Sequence, residues 1–226
     1  HKRDDTDMTI KLLNNFLLLL GRKILIAGKG KALYSLFCKS TRQELREILP
    51  EVPNIGDSIF KSSYYMGVCF IAWYKAFTKL GMSGTEANQW IWQVLEHGLK
   101  KIPPFLVPLA KKIYIGGMLK KAVSHTEKSR AGTLPECDWS IEYSPIDSNS
   151  FRLDVYECGI QKLCRKFHAE ELLPSLCRTD YLVAHYLHAG FERTQTLGDG
   201  NSVCNNTFHL RGDCQWMPEK GFVDRK

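Results

Sequence analysis

The sequence predicts an α+β protein: a helical N-terminal half followed by a small antiparallel sheet of two β-hairpins, with two helices between them. Three observations predict it. Apolar residues recur at helical spacing through residue 130, and beyond it two pairs of short segments alternate apolar and polar residues, as half-buried strands do. With 226 residues, 44% of them hydrophobic, the chain can bury a substantial core without metals or crosslinks. The division expected is a helical region over 1–130 and an α+β region over 131–226 that carries the candidate site, packed as one globular unit.

The elements follow in order. Ile10 to Cys38 reads as helix, with Gly21, Gly28 and Gly30 as bends or ends. Thr41 followed by Glu44 has the spacing of a capping box and opens a short helix that closes before Pro50. Asp57 caps a longer helix through Tyr64, Val68, Ile71, Ala72 and Leu80, ended by Gly81. Ser83 with Glu86 repeats the capping-box spacing and starts a helix through Trp90, Ile91, Val94 and Leu95. The short turn between these last two predicts an antiparallel αα-hairpin. Pro103 and Pro104 break the chain, and Phe105 to Val123 resumes as a helix with a basic outer face. Asp138 to Tyr143 and Phe151 to Cys158 form the first hairpin. Gly159 to Phe167 and Pro174 to Ala189 are helices. Phe191 to Leu197 and Val203 to Leu210 form the second hairpin, around the Gly198-Asp199-Gly200 turn.

Charge is unevenly spread. Residues 1–130 hold 21 basic and 10 acidic side chains, and residues 131–226 hold 10 and 14, within a net charge of +7. The lysines of the basic half stand singly or in pairs on amphipathic helices, which describes a solvated face better than a nucleic-acid or lipid surface. Met8 to Ala27 is the most membrane-like stretch. Lys11, Asn14, Asn15, Arg22 and Lys23 interrupt it, whereas a spanning helix needs about 20 predominantly apolar residues. It is expected to be a buried helix, and the acids at Asp4, Asp5 and Asp7 make it a poor secretory leader. The eight cysteines are scattered with no CxxC pair, which predicts reduced thiols in a cytoplasmic protein without structural disulfides.

Reactive residue types gather in the C-terminal half. Cys177 is placed in the first turn of a helix, where the dipole and free N–H groups would stabilise a thiolate. Asp180 shares its face, and His188 returns to nearly the same angle, so a Cys, Asp and His stripe is one catalytic arrangement; an inert buried thiol and a surface histidine are the plain alternative. A metal site of Cys158, Cys177 and Cys204 lacks short ligand spacing, so no metal or cofactor is expected. On the alternating stretch Phe191 to Leu197, Arg193 shares the covered face with Phe191, Gln195 and Leu197. A buried arginine there must pair with an acid such as Glu157 or Asp180, or meet a substrate carboxylate.

Several separated motifs in a fixed order carry a resemblance. Tyr156-Glu-Cys-Gly-Ile160, then Glu171-Leu-Leu-Pro-Ser-Leu-Cys177 with Asp180, then Arg193-Thr-Gln-Thr-Leu197, Gly200 and Cys204 resemble the L-2-amino-thiazoline-4-carboxylic acid hydrolase family. The motifs span roughly Glu136 to Leu210, and Met66 to Leu99 is similar to the family's helical region. The resemblance implies hydrolytic opening of a cyclic isothiourea to a carbamoyl-cysteine in cysteine metabolism. Addition to an amidine carbon needs an acid at the ring nitrogen, a nucleophile and a cation for the substrate carboxylate. Glu157 or Asp180 would be the acid/base, Cys177 or Cys158 the nucleophile or orienter, and Arg193 the carboxylate clamp, with Thr196 and Cys204 beside it. Glu157, Cys158, Cys177, Asp180, Arg193 and Cys204 should then line one pocket. The family pattern has Cys, then Asp, then an aromatic, where this chain has Cys204-Asn205-Asn206. That departure motivates the competing reading, a non-catalytic small-molecule binding or sensing domain of the same fold.

Overall fold

The computed structural model describes residues 2–214. The first element, α1 (Lys2–Lys29), carries acids in its first turn and a lysine in its last, the polarity that its dipole favours. Gly30, with φ of +85°, breaks the path and starts α2 (Lys31–Ile48). Gly21 and Gly28 are not bends: a Cβ would lie 2.8 Å from Val94 at the first and 2.2 Å from Trp90 at the second. They let α1 lie close against α4 (Gly84–Lys100).

The box read at Thr41 and Glu44 does not exist, because α2 runs unbroken through both. The two side chains are buried, and Glu44 pairs with Lys79. A polar pair at capping-box spacing shortly before Pro50 imitates a helix start when its burial is not visible. Asp57 likewise does not cap α3 (Lys61–Lys79), which starts after Phe60; it is exposed and pairs with Lys121. α3 is the central helix. Val68, Phe70, Ile71, Trp73 and Phe77 are all at most 1% exposed, so it is apolar around most of its circumference and must be covered on several sides. α1, α2 and α4 do so. The box at Ser83 and Glu86 forms as expected at the start of α4 (Gly84–Lys100).

α5 (Val107–Arg130) extends past Val123, and its last turns join the sheet. Thr126 Oγ1 accepts from Tyr143 N and Ser129 Oγ from Ile141 N, both at 3.0 Å. These bonds occupy N–H groups on β1 (Ser140–Pro145), an edge strand that would otherwise invite pairing with another chain.

The sheet is antiparallel with order β1-β2-β4-β3, where β2 is Ser150–Glu157, β3 Gly190–Glu192 and β4 Cys204–His209. Both hairpins form and join through β2 and β4. The second is shorter than expected. After Glu192 the chain leaves the ladder, and a 3-10 turn at Leu197–Asp199 followed by Gly200 at φ +88° brings it back. Between β2 and β3 lie α6 (Gly159–Lys166), the single turn α7 (Leu173–Leu176) and α8 (Thr179–Tyr186). The helix expected over Pro174 to Ala189 is therefore broken at Cys177 and Arg178. It also ends early, at His188 in left-handed backbone with φ of 50°.

Buried residues of the helices and of the sheet belong to one hydrophobic cluster. No helix among the described residues is long and apolar enough to cross a membrane, and α1 lies against α2, α3 and α4.

The junction from β2 into α6 depends on Gly159. A Cβ there would stand 2.4 Å from Cys137 O and 2.7 Å from the Trp139 ring, and a backbone oxygen cannot yield as a flexible side chain does. Gly159→Ala should destabilise the protein by about 2 kcal/mol, the range of overpacking in a closed site. A urea titration checks this, and a midpoint unchanged from the parent would show that the junction can relax.

Candidate active site

One cavity of about 150 Å³ lies between the helical layer and the sheet, and Cys158, Cys177, Asp180, Arg193, Thr196 and Cys204 all reach it. Met66 and Phe70 of α3, Leu95 and Leu99 of α4, Leu182 of α8 and Trp139 give it apolar walls. The polar groups are Ser63 of α3, Tyr114 of α5, Cys158 after β2, the α7–α8 junction, the loop after β3, and Cys204 and Asn206 of β4.

Arg193 organises this set. Its side chain is only 3% exposed, and the guanidinium lies 5.1 Å from the Tyr181 ring centroid and 5.4 Å from that of Phe191. Nη1 donates to Asp180 Oδ2 at 3.3 Å and to Asn206 Oδ1 at 3.5 Å, and Nη2 donates to Cys177 O. Nε is buried without a hydrogen-bond partner. Burial pulls the arginine's pKa down, but Asp180, Tyr181 and the thiols outweigh it and the net shift is upward, so the charge is retained. Arg193 does not lie on a strand, as read from the alternation; it follows β3 in the loop. It still points inward with Phe191, whereas Gln195 is exposed and Thr196 buried. The period of two ends where the ladder ends.

Asp180 accepts from Tyr114 O–H at 3.1 Å as well as from Arg193. Burial, then the charge and hydrogen bond of Asp180, hold the Tyr114 hydroxyl well above the usual tyrosine range. Tyr114 is a permanent donor to the carboxylate at any ordinary pH.

The thiols are not activated. Cys177 is pushed up to about 11 by burial, which the nearby Arg193 only partly opposes. Cys158 is pushed up to about 12 by burial, with Cys177 adding to it and the N–H groups at the start of α6 opposing. The dipole expected to lower Cys177 is absent, because the residue closes the single turn α7 and precedes α8. Gly198 packs against its sulfur: a Cβ there would sit 2.6 Å from Sγ. Cys204 Sγ accepts from Leu197 N and contacts Thr196 Oγ1, both at 3.2 Å. Although the three sulfurs share the cavity, no group of three His, Cys, Asp or Glu among the described residues could hold a metal ion.

Two residues fall outside. Glu157 is 59% exposed and pairs with Lys162. The alternation through Phe151, Leu153 and Val155 would turn it inward, but Ser140 pairs with Glu157 and Ile141 with Val155, so one residue of β2 is extra at that end. This bulge turns Glu157 to solvent and brings Cys158 in. His188 does not complete a stripe with Cys177 and Asp180: the helix has ended, and its carbonyl accepts from Lys111 Nζ at 3.0 Å.

Tyr114 and Asn206 were missed. The period of β4 contained the signal for Asn206, since it shares the inward face with Cys204. Nothing in the sequence of α5 marks Tyr114.

The raised thiols have a consequence for stability. Cys69, pushed up to about 12 by burial, joins Cys158 and Cys177. All three ionise near 9 in the unfolded chain and remain protonated in the folded one, so the folded state binds more protons as pH rises past 9. Stability is complete below that pH and should fall progressively between pH 9 and 12. Urea midpoints measured from pH 8 to 10.5 check the sign; a midpoint that rises over this interval would contradict it.

The family model for L-2-amino-thiazoline-4-carboxylic acid hydrolase matches residues 63–208, well over half of the chain. Every polar residue of the cavity lies inside that range. No curated protein and no solved structure matches the chain. The chain belongs to the L-2-amino-thiazoline-4-carboxylic acid hydrolase family.

Proposed function

We propose that this protein is a hydrolase that opens a small cyclic amidine or isothiourea carrying a carboxylate, such as L-2-amino-thiazoline-4-carboxylate, to a carbamoyl-cysteine. The observation that carries the reading is the Tyr114–Asp180–Arg193 chain at the polar end of an otherwise apolar cavity. A cavity near 150 Å³ suits one small ring, since engineered apolar cavities of about that volume accept benzene.

The substrate presents an amidine and a carboxylate, the complements of an aspartate and an arginine. Arg193 clamps the carboxylate, using the N–H that has no protein partner. Asp180 binds the amidine nitrogens and serves as acid/base. Water is the nucleophile: its oxygen bonds to the ring carbon between sulfur and nitrogen while the C=N π pair moves onto the ring nitrogen, and Asp180 takes one water proton and hands it to that nitrogen. The C–S bond then breaks with its electron pair on sulfur as the remaining O–H becomes the carbonyl, and Asp180 relays that second proton to the sulfur, leaving the carbamoyl group on nitrogen. Cys158 and Cys177, held as thiols, shape the pocket and are not the attacking groups. Thr196, Cys204 and Asn206 orient the substrate. The family membership supports hydrolase chemistry, and cysteine metabolism in a cytoplasmic setting is the matching context.

The competing reading, a binding or sensing domain without catalysis, rested on Asn205. That side chain lies away from the cavity and accepts from Thr194 N and Gln195 N at 3.0 and 2.8 Å, pinning the loop after β3.

Product formation from L-2-amino-thiazoline-4-carboxylate, followed by chromatography, tests the proposal. Turnover is expected. Asp180→Asn should lower kcat by roughly a hundredfold or more, the usual contribution of a positioned acid/base. Arg193→Lys should keep the fold and weaken carboxylate binding about tenfold, or about 1.4 kcal/mol, because a point charge replaces a planar fork. Thermal stabilisation by the compound without turnover would establish the binding-domain reading. Unchanged binding by Arg193→Lys would make Arg193 a structural ion-pair residue.

A further inference from the structure

α1 has one face buried against α2, α3 and α4 and another that no element among the described residues covers. Met8, Leu12, Phe16 and Leu19 are 57, 62, 59 and 67% exposed. They stand on successive turns and form one stripe, which is more than scattered surface apolars. The stripe continues into charge at both ends, with Asp5 before it and Lys23 after it, both exposed. Asp5, Thr9, Leu12, Phe16, Leu19 and Lys23 are separated alternately by four and three residues, the spacing of a two-helix seam.

That series reads in complementary fashion in reverse. An antiparallel copy of α1, related by a two-fold axis level with Asn14, sets Asp5 opposite Lys23, Thr9 opposite Leu19 and Leu12 opposite Phe16, and each pairing occurs twice. We infer that α1 is the contact surface for a second copy of this chain, packed antiparallel along this seam as a two-fold dimer. Isologous contact is the commonest symmetry of soluble oligomers and requires such a self-complementary patch. A parallel pair would place Asp5 on Asp5 and Lys23 on Lys23. An anionic lipid surface would suit Lys11, Arg22 and Lys23 but would repel the acidic end at Asp5 and Asp7. Covering four large apolar residues on each copy, with the flanking charges, reaches on the order of the 1,000 Å² that a specific interface needs. No residue of α1 lines the cavity, so the surface is independent of the site and of the reaction assigned to it.

Sedimentation equilibrium of the full chain at micromolar concentration tests the inference, with thermal unfolding of each variant as the control for folding. The parent should sediment at twice the 25.9 kDa chain mass. Phe16→Glu, at an exposed position, should weaken association roughly thirtyfold or more, the range of a central contact residue. Asp5→Lys alone and Lys23→Glu alone should each weaken it about tenfold by setting like charges opposite one another. The two together should restore it to within about threefold of the parent, because only the antiparallel register exchanges one for the other. A parent that sediments as a monomer overturns the inference, and so does a monomer that binds anionic vesicles through the stripe. A dimer unaffected by Phe16→Glu overturns it too, and a double variant no tighter than the singles overturns the antiparallel register.

Discussion

A guanidinium in a protein interior has to be surrounded. Moving such a charge out of water carries a penalty of several kcal/mol unless partners and hydrogen bonds replace the lost hydration. Arg193 meets that requirement with groups from four places: Asp180 on α8, the Cys177 carbonyl at the end of α7, Asn206 on β4, and the rings of Tyr181 and Phe191. Asp180 in turn takes the hydroxyl of Tyr114 on α5. The ion pair therefore does more than decorate a pocket. It joins the end of α7, the first turn of α8 and the loop after β3, and through Tyr114 it ties the sheet side of the cavity to a helix from the other half of the chain.

The same constraint explains which features of the sequence were legible. Periodicity located α1, α3, α4, α5 and the four strands, because apolar spacing reports the surface each gives to the common core, one face in most and nearly the whole circumference in α3. It failed where a tertiary polar contact took over. The pattern from Pro174 to Ala189 is helical throughout, yet Cys177 must lend its carbonyl to Arg193, and a carbonyl inside a continuing helix would be committed to the N–H four residues on. At Thr41 and Glu44 a lysine from α3 stabilises a buried carboxylate, a partner that no local pattern displays. At Glu157 a single extra residue in β2 reversed the face, and alternation cannot anticipate a bulge.

For the candidate site, motif order was more informative than position on an element. Six of the eight residues singled out reach the cavity, and Glu157 and His188 do not, although two of the arguments used to place them do not hold: Cys177 is not in the first turn of a long helix, and Arg193 and Thr196 are not on a strand. The chemistry assigned to the thiols depended on those placements. Once Cys177 is set beside apolar walls rather than at a helix N-terminus, burial raises its pKa instead of lowering it. That is why the proposed nucleophile is water rather than sulfur, and the proposed acid/base is the carboxylate that Tyr114 and Arg193 hold.

The departure at Cys204-Asn205-Asn206 acquires a different meaning from the alternation of β4. Successive residues on a strand face opposite sides, so the two asparagines answer separate questions. Asn205 faces away from the cavity and spends its amide on Thr194 and Gln195. An aspartate there would keep both accepted N–H bonds and lose only the donor to Thr194, so the exchange bears on the loop. Asn206 is the one in the cavity, in the place of an aromatic in the family pattern, and its carbonyl oxygen accepts from Arg193. An aromatic ring at that position would offer the guanidinium a π face but no in-plane acceptor. The amide oxygen instead accepts from Nη1 at 3.5 Å, so a neutral acceptor stands beside the fork. The departure inside the cavity is thus confined to Asn206, while Tyr114 donates to Asp180 and Asp180 pairs with Arg193, the chain of contacts on which the proposed reaction rests.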